Sequence, residues 1–163
     1  MNKSEINKII KIFHSKDLID KYDIHNKKWK KNIWLKIDNI KDFNFVKDII
    51  NSDLKNINKN YKVSDWITFL IYKEGDFFGK HKDDDFDATD KENPIYSGGY
   101  VLNDTFVGGE FIIDNKKLNV GVGELFFFER HLYHEVKEIT KGIRYSLHFG
   151  IESSNVQKNK NLI

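Results

Sequence analysis

Residues 142–151 read Gly-Ile-Arg-Tyr-Ser-Leu-His-Phe-Gly-Ile. Side chains of an extended chain alternate with a period of two, so Ile143, Tyr145, Leu147 and Phe149 share one face and Arg144, Ser146 and His148 the other. The first face is apolar and belongs to a core. The second carries a guanidinium, a hydroxyl and an imidazole in a row. Arg144 is one of only two arginines, with Arg130, among 27 basic residues, so its place on an otherwise apolar strand asks for a reason. A guanidinium turned into a barrel needs a buried anion, and its planar fork suits a carboxylate held by two parallel hydrogen bonds. The competing reading pairs it with a neighbouring Glu at a barrel rim.

Working outward, the same strand-like period recurs in WITFLIYK (66–73), SGGYVLN (97–103), GEFIID (109–114), KLNV (117–120), GELFFFE (123–129) and LYHEVKEI (132–139). With 142–151 these are seven short runs separated by Gly, Asn and Asp turns, the pattern of a sandwich or jelly roll. The N-terminal third has a helical period instead. Ile6, Ile9, Ile10 and Phe13 predict an amphipathic helix over 4–14 with Ser4 as its cap. A second helix is expected at about 42–57, capped by Asp42 and burying Phe43, Val46, Ile50 and Leu54, with a strand near Trp34 between the two. The expected organisation is mainly β with N-terminal helices in one domain: a helical support region at 1–62, a jelly-roll catalytic core at 63–151 and a frayed tail at 152–163.

Composition narrows the chemistry. The 163-residue chain has 39% hydrophobic and 14% aromatic residues, enough for a core, and no cysteine. Disulfides, thiolate nucleophiles and Cys-ligated metals are therefore excluded, and His and carboxylates are the strong metal ligands left. No uncharged run approaches the roughly 18 residues of a membrane span, and the first residues are broken by Lys and Asn, so the expectation is a cytoplasmic protein with no membrane association. Residues 1–62 hold 15 Lys against 8 acids, within an overall net charge of +2. Because these lysines are scattered along expected helices, a solvated basic face is preferred over a nucleic-acid-binding one.

Within the β-rich part, His81-Lys-Asp83 places an imidazole and a carboxylate on the same face of an extended segment, and His134 lies on another expected strand. Two His and one carboxylate can occupy one triangular face of an octahedral iron(II) and leave three positions open. Each histidine taken alone would be read as an ordinary core or surface residue.

These residues stand in an order that resembles a known family. Tyr72-Lys-Glu-Gly75, His81-x-Asp83, Tyr100-Val-Leu-Asn103, Gly108-Gly109-Glu110, Gly123 ahead of Leu125-Phe-Phe-Phe128, His134-x-Val136 and Gly142-x-Arg144 are together similar to the iron(II)- and 2-oxoglutarate-dependent dioxygenases, in particular the prolyl 4-hydroxylase branch. The resemblance covers about residues 66–151. It implies a double-stranded β-helix with supporting helices packed on one sheet. It also implies that His81, Asp83 and His134 bind iron(II), that Arg144 holds the distal carboxylate of 2-oxoglutarate, that Tyr72 lines the cosubstrate pocket and that Ser146 assists the arginine. Val136 and the distance to Arg144 select His134 over His131, which is expected at a turn. His148 shares the site face, where substrate contact and rim packing are both open to it.

One departure concerns the cosubstrate pocket. Many prolyl hydroxylases have a tyrosine directly before Leu-Asn, where this chain has Val101; Tyr100 is one position off and is expected to face the other way. Iron(II), the Asp83 carboxylate, a 2-oxoglutarate dianion and Arg144 nonetheless sum to a neutral site, as a buried site requires.

The implied activity is hydroxylation of prolyl residues in a protein or peptide, with molecular oxygen consumed, 2-oxoglutarate decarboxylated to succinate and ascorbate a candidate auxiliary. Alternatives are a nucleic-acid demethylase or small-molecule hydroxylase of the same superfamily, or a non-catalytic jelly-roll binding module. The oligomeric state is left open. The acidic stretch 84–97 follows Asp83 directly and is read either as a solvated loop or as a lid favouring substrates with basic residues beside the proline.

Overall fold

The architecture is a curled antiparallel sheet with two helices against its outer face, seen in a computed structural model that describes residues 1–14, 21–37, 40–83 and 94–154. In chain order the elements are α1 (Lys3–Phe13), β1 (Asp23–Lys27), β2 (Lys30–Lys36), α2 (Asn44–Ile57), β3 (Tyr61–Tyr72), β4 (Phe77–His81), β5 (Tyr96–Val101) and β6 (Phe106–Gly108). They continue as β7 (Phe111–Ile113), β8 (Lys116–Lys117), β9 (Phe126–Glu129), β10 (His134–Val136), β11 (Ile139–Gly142) and β12 (Arg144–Ser153). The main sheet runs β8-β7-β10-β4-β2-β3-β12-β5-β9, with β1 on β2 and a separate β11–β6 pair. The expected mainly-β jelly roll with N-terminal helices is the fold observed.

The two-residue period of β3 and β12 divides the interior in two. Ile67, Phe69 and Ile71 of β3 and Leu147 and Phe149 of β12 meet Ile6, Ile9 and Phe13 of α1 and Val46, Ile50 and Leu54 of α2 in one buried cluster. Leu70 and Tyr72 point the opposite way and pack with Phe78, Val136 and Ile139. Burying each large apolar side chain contributes roughly 1.5–3 kcal/mol, which is how short, individually weak helices are held on the sheet. Tyr100 follows the helix side as expected, fully buried with its hydroxyl donating to Asp53 at 2.7 Å.

Several local expectations are corrected. The cap of α1 is Asn2, not Ser4: Asn2 Oδ1 accepts from the Glu5 N–H at 3.0 Å, and the Glu5 carboxylate accepts from the Asn2 N–H at 2.7 Å. This reciprocal box satisfies two otherwise orphaned donors. Asp42 lies within a 3-10 turn (Lys41–Phe43) that precedes α2, so Phe43 takes the cap position and no side-chain cap bond forms there.

The strand expected near Trp34 is present, and the N-terminal third holds more β structure than its helical period suggests. It supplies β1 and β2, and β2 sits inside the main sheet between β3 and β4. The run 117–120 contributes only the end of β8, and β1, β4, β6 and β11 were not legible as strands. Each is short, and β1 is largely exposed, so an alternation of apolar and polar residues has little to report. Of the acidic stretch, residues 84–93 lie outside the described residues, as do 155–163 of the expected tail. Among the described residues, no helix is long and apolar enough to cross a membrane.

Candidate metal centre and anion pocket

His81 ends β4 and His134 begins β10, and the two are register partners in adjacent antiparallel strands. Sheet pairing thus brings together residues far apart in sequence, with ring centroids 4.2 Å apart. Asp83 is anchored through its backbone, its N–H donating to the Arg130 carbonyl at 3.2 Å and its carbonyl accepting from Arg130 Nη2 at 3.0 Å. One ligand atom from each of His81, Asp83 and His134 falls in a set lying within 4.8 Å of one another.

Both histidine rings are oriented by backbone carbonyls. Nδ1 of His81 lies 2.7 Å from the Gly79 carbonyl and Nδ1 of His134 lies 3.1 Å from the Leu132 carbonyl. A carbonyl can only accept, so each Nδ1 is the donor there and each Nε2 is the ring atom left facing the carboxylate, where a metal could bind it. Those Nε2 atoms stand 3.7 Å (His81) and 3.4 Å (His134) from Asp83 Oδ1. A metal bonded at about 2.1 Å holds adjacent donors about 3 Å apart, so small movements would close the triangle. Phe78 stacks on His81 at 3.8 Å and Phe128 lies 4.7 Å from His134, which fixes the rings and keeps their wall apolar.

The electrostatics suit a divalent cation. Burial pushes the Asp83 carboxyl up, but His148 and the hydrogen bonds from His134 and His148 outweigh it and hold the group well below the usual carboxylate range. Ser97 Oγ donates to Asp83 Oδ2, and His148 Nε2 stands 3.4 Å from that same oxygen, so Oδ1 is the atom turned to His81 and His134. His81 is lowered to about 4, mainly by burial and then by His134, and is neutral near pH 7. An oxygen and two imidazole nitrogens match the facial set of non-haem iron(II).

Arg144 begins β12 opposite Tyr72 of β3. It is 3% exposed, and Nη1 donates to Ser146 Oγ at 2.8 Å. The Tyr72 ring lies 5.4 Å and the Phe106 ring 6.0 Å from the guanidinium carbon. Among the described residues no carboxylate pairs with it, so the rim-Glu reading finds no partner among them. Burial lowers its affinity for a proton, Tyr72 opposing that effect, yet a guanidinium stays charged. Burial raises the Tyr72 hydroxyl to about 12, leaving it protonated. Gly109, at φ +64°, would bring a Cβ against Ile139 and within 3.2 Å of Arg144 Cδ, so the glycine makes room for the arginine stem. Tyr72, His81, His134, Arg144, Ser146 and His148 line one cavity, and all six sequence-predicted site residues except Asp83 are among its walls. His131 is exposed and lies 3.4 Å from Glu129, as a turn residue would. Val101 pairs with Ser146 across β5 and β12, and Ser146 Oγ is the hydroxyl bonded to Arg144.

Sequence reasoning missed the other side of the metal set. A cavity of about 360 Å³ is bounded there by Trp29, Trp34 and Trp66, by Lys27, Lys30 and Arg130, and by Phe78, His81, Asp83 and His148. The signal was Lys27-Lys-Trp-Lys-Lys31, which forms the β1–β2 turn rather than a helix face. Gly79 ties that turn to the metal set: its N–H donates to the Trp29 carbonyl at 2.8 Å, while its own carbonyl accepts from His81.

Residues 3–160 match the Poxvirus C4/C10 protein family. A PKHD-type hydroxylase of Idiomarina loihiensis is 26% identical over 97 residues, which is 57% of this chain and 44% of that protein. The chain therefore spans less than half the length of this curated relative. A prolyl-4-hydroxylase of Pseudomonas putida superposes with a TM-score of 0.72 at 17% identity, covering 95% of this chain and 89% of the other. A viral collagen prolyl hydroxylase of Paramecium Bursaria Chlorella virus-1, solved as a 2-oxoglutarate complex, gives 0.67 at 17% identity, covering 93% and 91%. The fold is thus that of the 2-oxoglutarate- and iron(II)-dependent oxygenases.

Proposed function

The chain belongs to the Poxvirus C4/C10 protein family, and from that premise we propose that it is an iron(II)- and 2-oxoglutarate-dependent hydroxylase acting on prolyl residues of a protein or peptide. The observation that carries this reading is Arg144, a buried guanidinium without a carboxylate partner among the described residues, on the wall of the same cavity as His81 and His134. A buried cation of this kind is costly unless an anion joins it.

Under this reading His81, Asp83 and His134 hold the metal, Arg144 and Ser146 bind the distal carboxylate of 2-oxoglutarate, and Tyr72 closes the pocket around it. Bound iron would supply oxygen activation coupled to decarboxylation of 2-oxoglutarate and hydroxylation of a C–H bond. The residues contribute placement and charge. Asp83 stays anionic because His148 and His134 stabilise it, Ser97 occupies its second oxygen, and Arg144 balances the cosubstrate. Phe78, Phe111 and Phe126 keep water from the pocket.

The test is incubation of purified protein with iron(II), ascorbate and isotope-labelled 2-oxoglutarate, followed by detection of labelled succinate. Succinate is expected even without prime substrate, and its absence in protein shown to bind iron would overturn the reading. A mass search of peptide pools for products heavier by one oxygen atom then checks prolyl hydroxylation.

A further inference from the structure

The cavity on the substrate side of the metal set has a composition unlike the rest of the chain. All three tryptophans of the sequence line it. Lys30 is embedded in that wall at 4% exposure. Its Nζ lies 3.0 Å from the ring centre of Trp34, 4.7 Å from that of Phe78 and 5.9 Å from that of Trp29. Ring faces attract a cation but offer its three N–H groups no lone-pair acceptor, and among the described residues Lys30 has no hydrogen bond or carboxylate partner. Asp23 on β1 partly offsets the repulsion that Lys27 adds. Lys27 and Arg130 line the same cavity, and among the described residues its one carboxylate is Asp83.

Resting on the catalytic reading above, we propose that the prime substrate is an acidic peptide, and that a carboxylate beside the residue entering over His81 and Asp83 pairs with Lys30 in the box of Trp29, Trp34 and Phe78. The apolar ring walls take the aliphatic part of the peptide, and the ammonium takes the charge. A carboxylate there accepts from Lys30 while cations at the rim steer it in. The sign is opposite to that expected from the acidic stretch 84–97, because the described wall of the mouth is cationic. Trp29 is 43% exposed on the β1–β2 turn, within reach of an extended chain.

The experiment uses the full chain with manganese(II) and 2-oxoglutarate, so that binding is read without turnover. Proline-containing peptides matched except for Glu, Gln or Lys on both sides of the proline are titrated by tryptophan fluorescence, since every tryptophan borders this cavity. Glu peptides are expected to bind about tenfold more tightly than Gln peptides, the gain of one charge-assisted hydrogen bond, with Lys peptides weakest and the differences shrinking as salt rises. Lys30→Met should bring the Glu and Gln sets within twofold.

Equal binding of the Glu and Lys sets, a preference for Lys, or no peptide binding overturns the proposal. So does a Glu preference that survives in folded Lys30→Met, and so does a single-stranded oligonucleotide that binds more tightly than every peptide. Should Lys30→Met fail to fold, Trp29→Ala removes an exposed wall of the same box and must reduce the Glu-over-Gln ratio. Manganese and 2-oxoglutarate titrations alone separate the two readings. A chain that binds neither yet prefers Glu peptides loses the catalytic reading and keeps the acidic-peptide site, whereas one that binds both without that preference does the reverse.

Discussion

Two buried cations flank the metal set, and they are buried in different ways. Arg144 sits at 3% exposure with a hydroxyl from Ser146 on one nitrogen and the Tyr72 ring nearby. Lys30 sits at 4% exposure among aromatic faces. Burial costs both charge, yet a guanidinium remains protonated at any accessible pH, while Lys30 falls to about 7 through burial and then Lys27, against the pull of Asp23. One end of the barrel therefore holds a permanent charge and the other a charge that pH can remove. Under the proposed function the permanent charge takes the 2-oxoglutarate carboxylate and the removable one the substrate carboxylate.

The largest expected effect removes what lies between the two cations. His81→Ala, Asp83→Ala and His134→Ala should each abolish iron-dependent succinate formation, because two remaining ligands do not hold the facial set. Metal binding by calorimetry and succinate by mass spectrometry check this. Full activity of His134→Ala would break the assignment and return it to His131, whose own alanine variant is expected to be silent.

Next in size, Arg144→Ala should weaken 2-oxoglutarate binding by about a hundredfold, the order expected when one partner of a buried charge pair is lost, with iron affinity nearly unchanged. Arg144→Lys should recover part of this, since the charge survives without the fork. Unchanged cosubstrate affinity in both folded variants would make the two cations equivalent structural features.

The Lys30 end is probed through pH. Between about 7 and the ordinary lysine value near 10.4 the unfolded chain binds a proton that the folded chain does not. Stability therefore rises with pH across this window, by up to about 1 kcal/mol per unit from this group. Lys30→Met should flatten that rise in denaturant titrations at pH 7 and 10. A rise of equal slope in the variant would show that the ammonium is not held in the apolar box. The smallest effect is Ser146→Ala, expected to weaken 2-oxoglutarate by about tenfold or less, the worth of one hydrogen bond to a charged group. A loss as large as that of Arg144→Ala would instead show that the arginine is misplaced without its hydroxyl.

The arginine end was readable in the sequence and the lysine end was not. Arg144, Ser146 and His148 occupy alternate positions of one strand, and His81 and Asp83 are two apart, so a period of two places them on common faces before any partner strand is known. Lys30 and its three tryptophans have no such shared period. Trp29 and Trp34 reach the cavity because β2 lies between β3 and β4, and Trp66 reaches it from β3. Without that insertion the lysines of residues 27–31 look like a solvated run.

The sequence by itself determined the two faces of β12, the identity of a two-histidine, one-carboxylate set with an arginine behind it, and helices whose apolar stripes need a sheet to cover. These follow from local periodicity, which backbone geometry dictates residue by residue. Tertiary structure alone decided that His81 and His134 stand in register across β4 and β10, that no described carboxylate pairs with Arg144, and that Lys30 lies over Trp34 and Phe78. Those outcomes depend on which strands become neighbours, and strand pairing is set by burial summed over the whole sheet, not by any one segment's pattern.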